Sequence, residues 1–323
     1  MRLAIIHQKT TAKPMDFKPE HVEMLKKVSP DIEVTLCETE EELIEKCPDA
    51  EILFCFGTQT PEKWAKGAKS LKWVQSLSAG VDKLEPLREI FPGLIISKIS
   101  GVHGIPMSES AIMYILMFLN RMPFIMRNQV KGIWEKPPLP GSDDCHEKVV
   151  GIVGMGDIGR QVAKKCKLFG MTVYGSKLDT LPEEDLDRIF SVEENKEMIS
   201  KCDFVISLLP AMPSTMNFFN DEIFDSMKDG AYLISMGRGT VVDEDALVRA
   251  LKKGKLAGAA MDVFAKEPLP KDSPLWNMEN VIITPHCSAN TPFYYDRAIG
   301  LLCDNLKDFL EGRPIKTEVK PPV

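Results

Sequence analysis

The sequence predicts an α/β protein built on two doubly wound parallel sheets, with one domain formed from both ends of the chain and the other inserted between them. Three observations carry this. Short apolar runs alternate with helical patterns along almost all of the 323 residues, and such alternation implies parallel strands joined by helical crossovers. The runs are continuously apolar, as expected of strands covered on both faces. The alternation falls into two series, separated by one long helical pattern.

The first series opens with "RLAII" as a strand and "PEHVEMLKKV" as a helix. It continues through "IEVTLC" (strand), "TEEELIEKC" (helix) and "AEILFCF" (strand), then "LKWVQSL" and "GLIIS" as further strands. "PMSESAIMYILMFLNRMPFIMRNQ" is the long helical pattern; Pro106 and Ser108 fit its start and Pro123 interrupts it. After the loop "PPLPGSDD", the second series has six strand candidates, in "KVVGIVG", "MTVYG", "CDFVISLLP", "GAYLISM", "KLAGAAMDVF" and "NVIITPH". "TPFYYDRAIGLLCDNLKDFLEG" follows as an amphipathic helix ended by Gly312 and Pro314, and is expected to return to the first domain. The boundaries expected are 1–100 with 288–323 for one domain and 101–287 for the other, with a site in the cleft between them.

Composition narrows the function classes. With 44% hydrophobic and 27% charged residues the chain reads as an ordinary globular protein with enough length for two cores. A net charge of −7, with acids and bases interspersed, argues against nucleic acid and anionic membranes as partners. The N-terminal apolar run is only four residues, too short for a signal peptide. "AIMYILMFL" falls far below the roughly 20 residues needed to span a bilayer. Eight cysteines are scattered without CxxC or zinc spacing. They point to thiols in a reducing cytoplasm and to no metal site.

Gly154, Gly156 and Gly159 form GxGxxG between a buried strand and a helix closed by Gly170. The first glycine permits a tight turn, the second lets backbone approach a pyrophosphate, and the third lets helix and strand pack closely. The helix N-terminus adds amide donors and a positive dipole end. This context predicts a bound dinucleotide.

Three polar residues then need explaining. Arg238 sits between two glycines after "AYLIS", Glu267 precedes a proline after "AAMDVF", and His286 follows "NVIITP". Singly each has a plainer reading, as a surface arginine, a solvated loop glutamate and a satisfied loop histidine, and for Glu267 alone the plainer reading is the better one. Together they lie at carboxyl ends of strands in one sheet, where such sheets bind ligands. A histidine backed by a carboxylate, with an arginine nearby, suits hydride transfer to a 2-keto acid. His286 would protonate the carbonyl oxygen, Glu267 would orient the ring and favour the imidazolium, and Arg238 would hold the carboxylate and polarise the carbonyl.

The stretches "VGIVGMGDIGRQVAKKCKLFGM", "LISMGRGTVVDEDALVRAL" and "AAMDVFAKEPLPKDSPLWNMENVIITPH" make the chain resemble the D-isomer-specific 2-hydroxyacid dehydrogenase family over essentially its whole length. The resemblance implies a Rossmann cofactor domain inserted in a flavodoxin-like substrate domain, a homodimer joined by helices of the cofactor domain, and a small 2-keto or 2-D-hydroxy acid as substrate. It implies that the trio Arg238, Glu267 and His286 is catalytic. It implies cofactor contacts from Gly154, Met155, Gly156, Asp157, Ile158 and Gly159 in the glycine turn. Further cofactor contacts fall at Ser176 and Lys177, at Leu209, Pro210 and Thr215, and at Met236 and Gly237. Asp262, expected near the nicotinamide amide, and Ser288 complete the set. The backbone of Ser78, Ala79, Gly80 and Val81 would receive the substrate carboxylate. "SGVHG" before the long helix is similar to one subgroup of reductases, which suggests glyoxylate or hydroxypyruvate as the kind of substrate.

Two positions depart from the family pattern. Met212 replaces a threonine, and Lys177 replaces the acid that grips the adenosine ribose in NAD-specific members. A lysine there reverses the sign of the interaction with a 2′-phosphate. Ser176 adds a hydroxyl, and Arg160 adds a second cation if it turns inward. The expectation is NADP preferred, with NAD possible. Two rival readings stay open: a nucleotide-sensing corepressor-like protein on the same scaffold, and a dehydrogenase of another small acid such as formate or phosphite. Selection among acids would depend on loops around "CFGTQT" and "SAGVD" and on the helix near Phe293, Tyr294 and Tyr295.

Overall fold

A computed structural model describes residues 1–7, 17–57, 61–81, 83–138 and 141–320. Residues 58–60 of "CFGTQT", Asp82 and residues 139–140 lie outside the described residues. The chain divides into two compact units, Met1–His103 with Asn290–Val323, and Gly104–Ala289.

The first unit runs β1 (Arg2–Ile6), α1 (Pro19–Val28), β2 (Glu33–Cys37), α2 (Glu40–Lys46), β3 (Ile52–Cys55), α3 (Glu62–Gly67), β4 (Trp73–Ser76), α4 (Leu87–Ile90) and β5 (Ile95–Ser97). Its parallel sheet has the order β2-β1-β3-β4-β5. Strand periodicity explains the continuous apolar runs. Leu3, Ile5, Ile52, Phe54 and Trp73 point to one face, against the C-terminal helix Tyr294–Leu310. Ala4, Leu53 and Val74 point to the other, against Leu43 and Trp64 of α2 and α3. Local signals set the start of α2: Thr39 accepts a hydrogen bond from the Glu42 amide at 3.2 Å, and Glu40, Glu41 and Glu42 occupy the first turn.

The second unit holds α5 (Gly104–Leu119), α6 (Met122–Lys131), β6 (Val149–Val153), α7 (Asp157–Leu168), β7 (Thr172–Ser176), β8 (Arg188–Phe190), α8 (Asn195–Ile199), β9 (Phe204–Ser207), α9 (Asp221–Ser226), β10 (Ala231–Ser235), α10 (Glu244–Lys252), β11 (Leu256–Met261) and β12 (Val281–Ile283). Its parallel sheet has seven strands in the order β12-β11-β10-β9-β6-β7-β8, so the strand order reverses beside β6, where such sheets bind nucleotides. The sequence predicts six of these strands. The seventh, β8, is an edge strand of three residues after the acidic run "EEDLD", and too short to register as an apolar run. The long helical pattern is two helices. Arg121 takes a left-handed conformation (φ 55°) and ends the first, and Pro123 sits in the first turn of the second, where a missing amide costs nothing.

Candidate active site

Register builds the site. Val153, Ser176, Ser207, Ser235, Met261 and Ile283 form one row across the sheet, each paired with its neighbour at the carboxyl end of its strand. The next residue of each strand therefore leaves the sheet along one edge. That edge carries Gly154, Lys177, Leu208, Met236, Asp262 and Thr284. Parallel pairing alone thus gathers the glycine turn, Lys177, the "LLP" segment, the Arg238 turn, Asp262 and the His286 segment.

The glycine turn has the shape that the sequence predicts. Gly154 has φ +107°, and a Cβ there would lie 3.1 Å from the Leu208 carbonyl carbon. A Cβ on Gly159 would lie 2.6 Å from the Gly154 oxygen, while one on Gly156 would meet nothing within 4 Å. Open space therefore faces the α7 N-terminus, where Gly156 is the cap and makes no side-chain capping bond. First-turn amides have no intrahelical acceptor. Space, amides and dipole fit a pyrophosphate. Met155 is buried, and Ser176 contributes its carbonyl to the turn, accepting from the Gly154 and Met155 amides at 3.3 Å each. The Ser176 side chain is itself buried. Pro210 accepts the Thr215 hydroxyl at 2.6 Å, so these two form one closed turn, with Met212 exposed on it.

Arg238 is positioned by its two glycines. A Cβ on Gly237 would lie 2.4 Å from the Leu209 carbonyl oxygen, and one on Gly239 would lie 1.9 Å from the Phe264 carbonyl carbon. The turn after β10 is thereby wedged between the β9 and β11 turns. Arg238 donates from Nη1 to the Gly237 carbonyl at 3.0 Å.

Glu267 and His286 meet directly. His286 Nδ1 lies 2.8 Å from Glu267 Oε2, and Glu267 Oε1 accepts the Phe264 amide at 3.0 Å. The carboxylate is oriented by its own turn and in turn orients the ring. Nδ1 is the donor to Glu267, which leaves Nε2 to face a reactant. His286 has φ +50°, a costly conformation for a non-glycine residue, of the kind that collects at functional sites.

Asp262 holds that conformation. It is buried, its carbonyl accepts the His286 amide at 2.9 Å, and its Oδ1 accepts the Cys287 amide at 3.0 Å and the Thr284 hydroxyl at 2.6 Å. The Ser288 amide donates to its Oδ2 at 3.2 Å. Thr284 in turn lies 2.7 Å from the hydroxyl of Tyr114 on α5, whose pKa burial pushes up to about 12. Ser110 of the same helix donates to the Ser288 carbonyl at 3.2 Å. Sequence reading missed Tyr114, Thr284 and Ser110. Thr284, between a strand and "PH", carries a weak signal; the other two lie inside a helical pattern where nothing marks them.

At the end of β7, Lys177 and Arg160 both turn toward Glu183. Lys177 Nζ lies 2.6 Å from Glu183 Oε1 and 2.8 Å from Asp179 Oδ1. Arg160 contacts both oxygens of Glu183, at 2.9 and 3.0 Å. Neither cation stands alone, and Glu183 carried no signal in the sequence.

In the first unit, the loop after β4 is tied by hydroxyls. Ser76 Oγ accepts the Ser78 amide at 3.1 Å and donates to the Gly80 carbonyl at 2.8 Å, while Ser78 Oγ accepts the Gly57 amide at 3.1 Å. The Ser78 amide is therefore spent within the loop. Ser78 shapes the segment that carries Ala79, Gly80 and Val81. Among the described residues there is no group of three or more His, Cys, Asp or Glu that could hold a metal ion, and no helix long and apolar enough to cross a membrane.

Residues 112–288 match the family model "D-isomer specific 2-hydroxyacid dehydrogenase, NAD binding domain". The chain is 31% identical to D-3-phosphoglycerate dehydrogenase of Methanocaldococcus jannaschii over 295 residues, 90% of this chain and 56% of the relative. It thus spans about half the length of the curated relatives it matches. A D-isomer specific 2-hydroxyacid dehydrogenase family protein from Aeromonas salmonicida superposes with a TM-score of 0.86 at 28% identity, over 99% of each chain. The NADPH-dependent glyoxylate/hydroxypyruvate reductase from Sinorhizobium meliloti does so with a TM-score of 0.82 at 25% identity, again over 99% of each. The row of strand ends, the glycine turn, the oriented His286 and a family match covering more than half of its residues lead to one conclusion: the chain belongs to the D-isomer-specific 2-hydroxyacid dehydrogenase family.

Proposed function

We propose that the protein is an NAD(P)-dependent oxidoreductase that interconverts a small 2-keto acid and its D-2-hydroxy acid, with glyoxylate or hydroxypyruvate as the model substrates. One observation carries this: a histidine in a strained backbone conformation, its Nδ1 held 2.8 Å from Glu267, on the sheet edge that also carries the glycine turn. The nicotinamide supplies or accepts the hydride when bound. His286 Nε2 gives a proton to the carbonyl oxygen during reduction and takes it back during oxidation. Glu267 stabilises the charged ring, and Arg238, on the neighbouring turn, holds the carboxylate and polarises the carbonyl.

The glycine turn, Ser176 and Lys177, Leu209 to Thr215, Met236, Gly237, Asp262 and Ser288 form the cofactor-binding set in this reading, on Gly104–Ala289. The other unit is the substrate domain, with the Ala79–Val81 backbone amides donating to the substrate carboxylate. Lys177 and Arg160 favour NADP, with NAD accepted. Met126, Val130, Ile133 and Trp134, exposed on and after α6, mark the face that a second copy covers in a homodimer.

The test is a substrate screen by nicotinamide absorbance with NADPH and NADH. Glyoxylate or hydroxypyruvate should be reduced, and His286→Ala and Arg238→Ala should each lose about 10²–10⁴-fold in kcat while still binding the cofactor. Activity with formate or phosphite alone, or near-native turnover in either variant, removes this reading. Cofactor binding without turnover on any acid points instead to a sensor.

A further inference from the structure

The pairing at the end of β7 has a geometry of its own. Glu183 faces Arg160 with both oxygens, at Nε and Nη2, while Oε1 also meets Lys177. This is the two-pronged arrangement in which a guanidinium receives a phosphate. The Lys177 and Glu183 side chains are 12% and 14% exposed, whereas Arg160 is half-exposed. Lys177 lies where the second strand of a dinucleotide unit presents its ribose-reading residue, directly after Ser176, and Arg160 reaches the same carboxylate from α7. The local count is two positive groups, Lys177 and Arg160, against three carboxylates, Asp157, Asp179 and Glu183, a net charge of −1. Without the Glu183 charge it is zero.

We propose that Glu183 is an internal stand-in for a phosphate monoester: it competes with the 2′-phosphate of NADP for Lys177 and Arg160, and so sets how strongly this chain tells NADP from NAD. The proposal rests on the dinucleotide-binding reading above. A 2′-phosphate then gains its two cations by exchange, one anion leaving as another arrives. Its advantage over a ribose hydroxyl is smaller than two bare cations would provide. Glu183 stands midway along the segment 177–187 that joins β7 to β8. The far end of that segment is anchored separately, where Asp187 Oδ2 accepts the Val173 amide at 2.7 Å and bonds Lys167 at 2.8 Å. Leu178 and Leu181, between the two ends, are exposed at 90% and 67%. Exchange of the Glu183 side chain therefore leaves the Asp187 tie to β7 intact.

Isothermal titration calorimetry on the full chain, with AMP and with 2′,5′-ADP, isolates the 2′-phosphate without any turnover. The readout is the ratio of the AMP Kd to the 2′,5′-ADP Kd. Glu183→Gln should raise that ratio about tenfold, the scale of one competing charge at a phosphate, and Glu183→Ala should do the same. Lys177→Gln should lower it, and in that background Glu183→Gln should have a clearly smaller effect. If both nucleotides bind and the ratio stays level or falls in Glu183→Gln and Glu183→Ala, Glu183 is a structural tie and the proposal is overturned. If the folded parent binds neither nucleotide nor NADPH nor NADH, the dinucleotide reading itself falls and takes the proposal with it.

Discussion

Asp262 shows how much a single buried carboxylate can organise. The sequence resemblance directs it toward the nicotinamide; in the structure its oxygens are committed to Thr284, Cys287 and Ser288, and its carbonyl to His286. It is therefore the residue that keeps a strained histidine in place. Asp262→Ala strands two amides and a hydroxyl in a buried setting, so we expect a loss of about 2–4 kcal/mol of stability and of most turnover. Urea unfolding monitored by circular dichroism measures the first; a change under 0.5 kcal/mol would contradict the role. Glu183 makes a second prediction at this scale. Arg160 first, and Lys177 next, hold its carboxyl down from 4.5 to about 2. A depressed folded-state value means that the ion pairs contribute fully above the unfolded value near 4.5, and lose that contribution as pH falls toward 2. The stability difference between the parent and Glu183→Gln should be constant from pH 7 to about 5 and shrink below 4.5. A difference that persists unchanged at pH 3 would mean that charge is not its source.

The elements matter here chiefly through where they stop. One residue past six of the seven strands of the Gly104–Ala289 sheet is a candidate site position, because parallel register aligns the ends. The glycines around Arg238 are then legible as contacts between turns. A Cβ on Gly239 would meet Phe264 backbone, which cannot yield as a flexible side chain can. Gly239→Ala should cost about 1–3 kcal/mol and should lower kcat/KM more than the stability loss explains, since it displaces Arg238 relative to the Glu267 turn. Thermal melts and steady-state kinetics on one keto acid check both; a variant with parental Tm and kcat/KM would show that the turns do not touch in solution. The strand that the sequence concealed, β8, follows the same logic in reverse. Three residues on an edge carry too little periodicity to see, and only pairing with β7 makes them a strand.

At the scale of the molecule, the chain leaves the first unit after His103 and returns at Asn290, so one unit is discontinuous in sequence and the other is not. The C-terminal helix restores the first unit's core by packing Tyr294, Tyr295, Ile299 and Leu302 against residues from the chain's start. The second unit exposes Trp134 fully and Val130 nearly so, the kind of apolar surface that marks a contact with another molecule. We expect the parent to run as a dimer in size-exclusion chromatography with light scattering, and Trp134→Glu to shift it toward the monomer with its fold intact by circular dichroism. A parent that stays monomeric at tens of micromolar would remove this face as a dimer contact.

Local physics made much of this protein readable from its residues. Both sheets follow from apolar runs that need cover on two faces. The glycine turn follows from spacing between a strand and a helix, and the trio Arg238, Glu267 and His286 from the positions of strand ends. Tertiary structure decided what depends on partners distant in sequence. It made Asp262, expected near the cofactor, the anchor of the His286 segment as well. It spent the Ser78 amide on Ser76, and it brought Tyr114 from a featureless helix onto Thr284. Above all it decided what Lys177 touches. Sequence supplies the charge at the end of β7, but a charge acts through its neighbours, and the Glu183 beside it is six residues away across a loop whose path no periodicity describes.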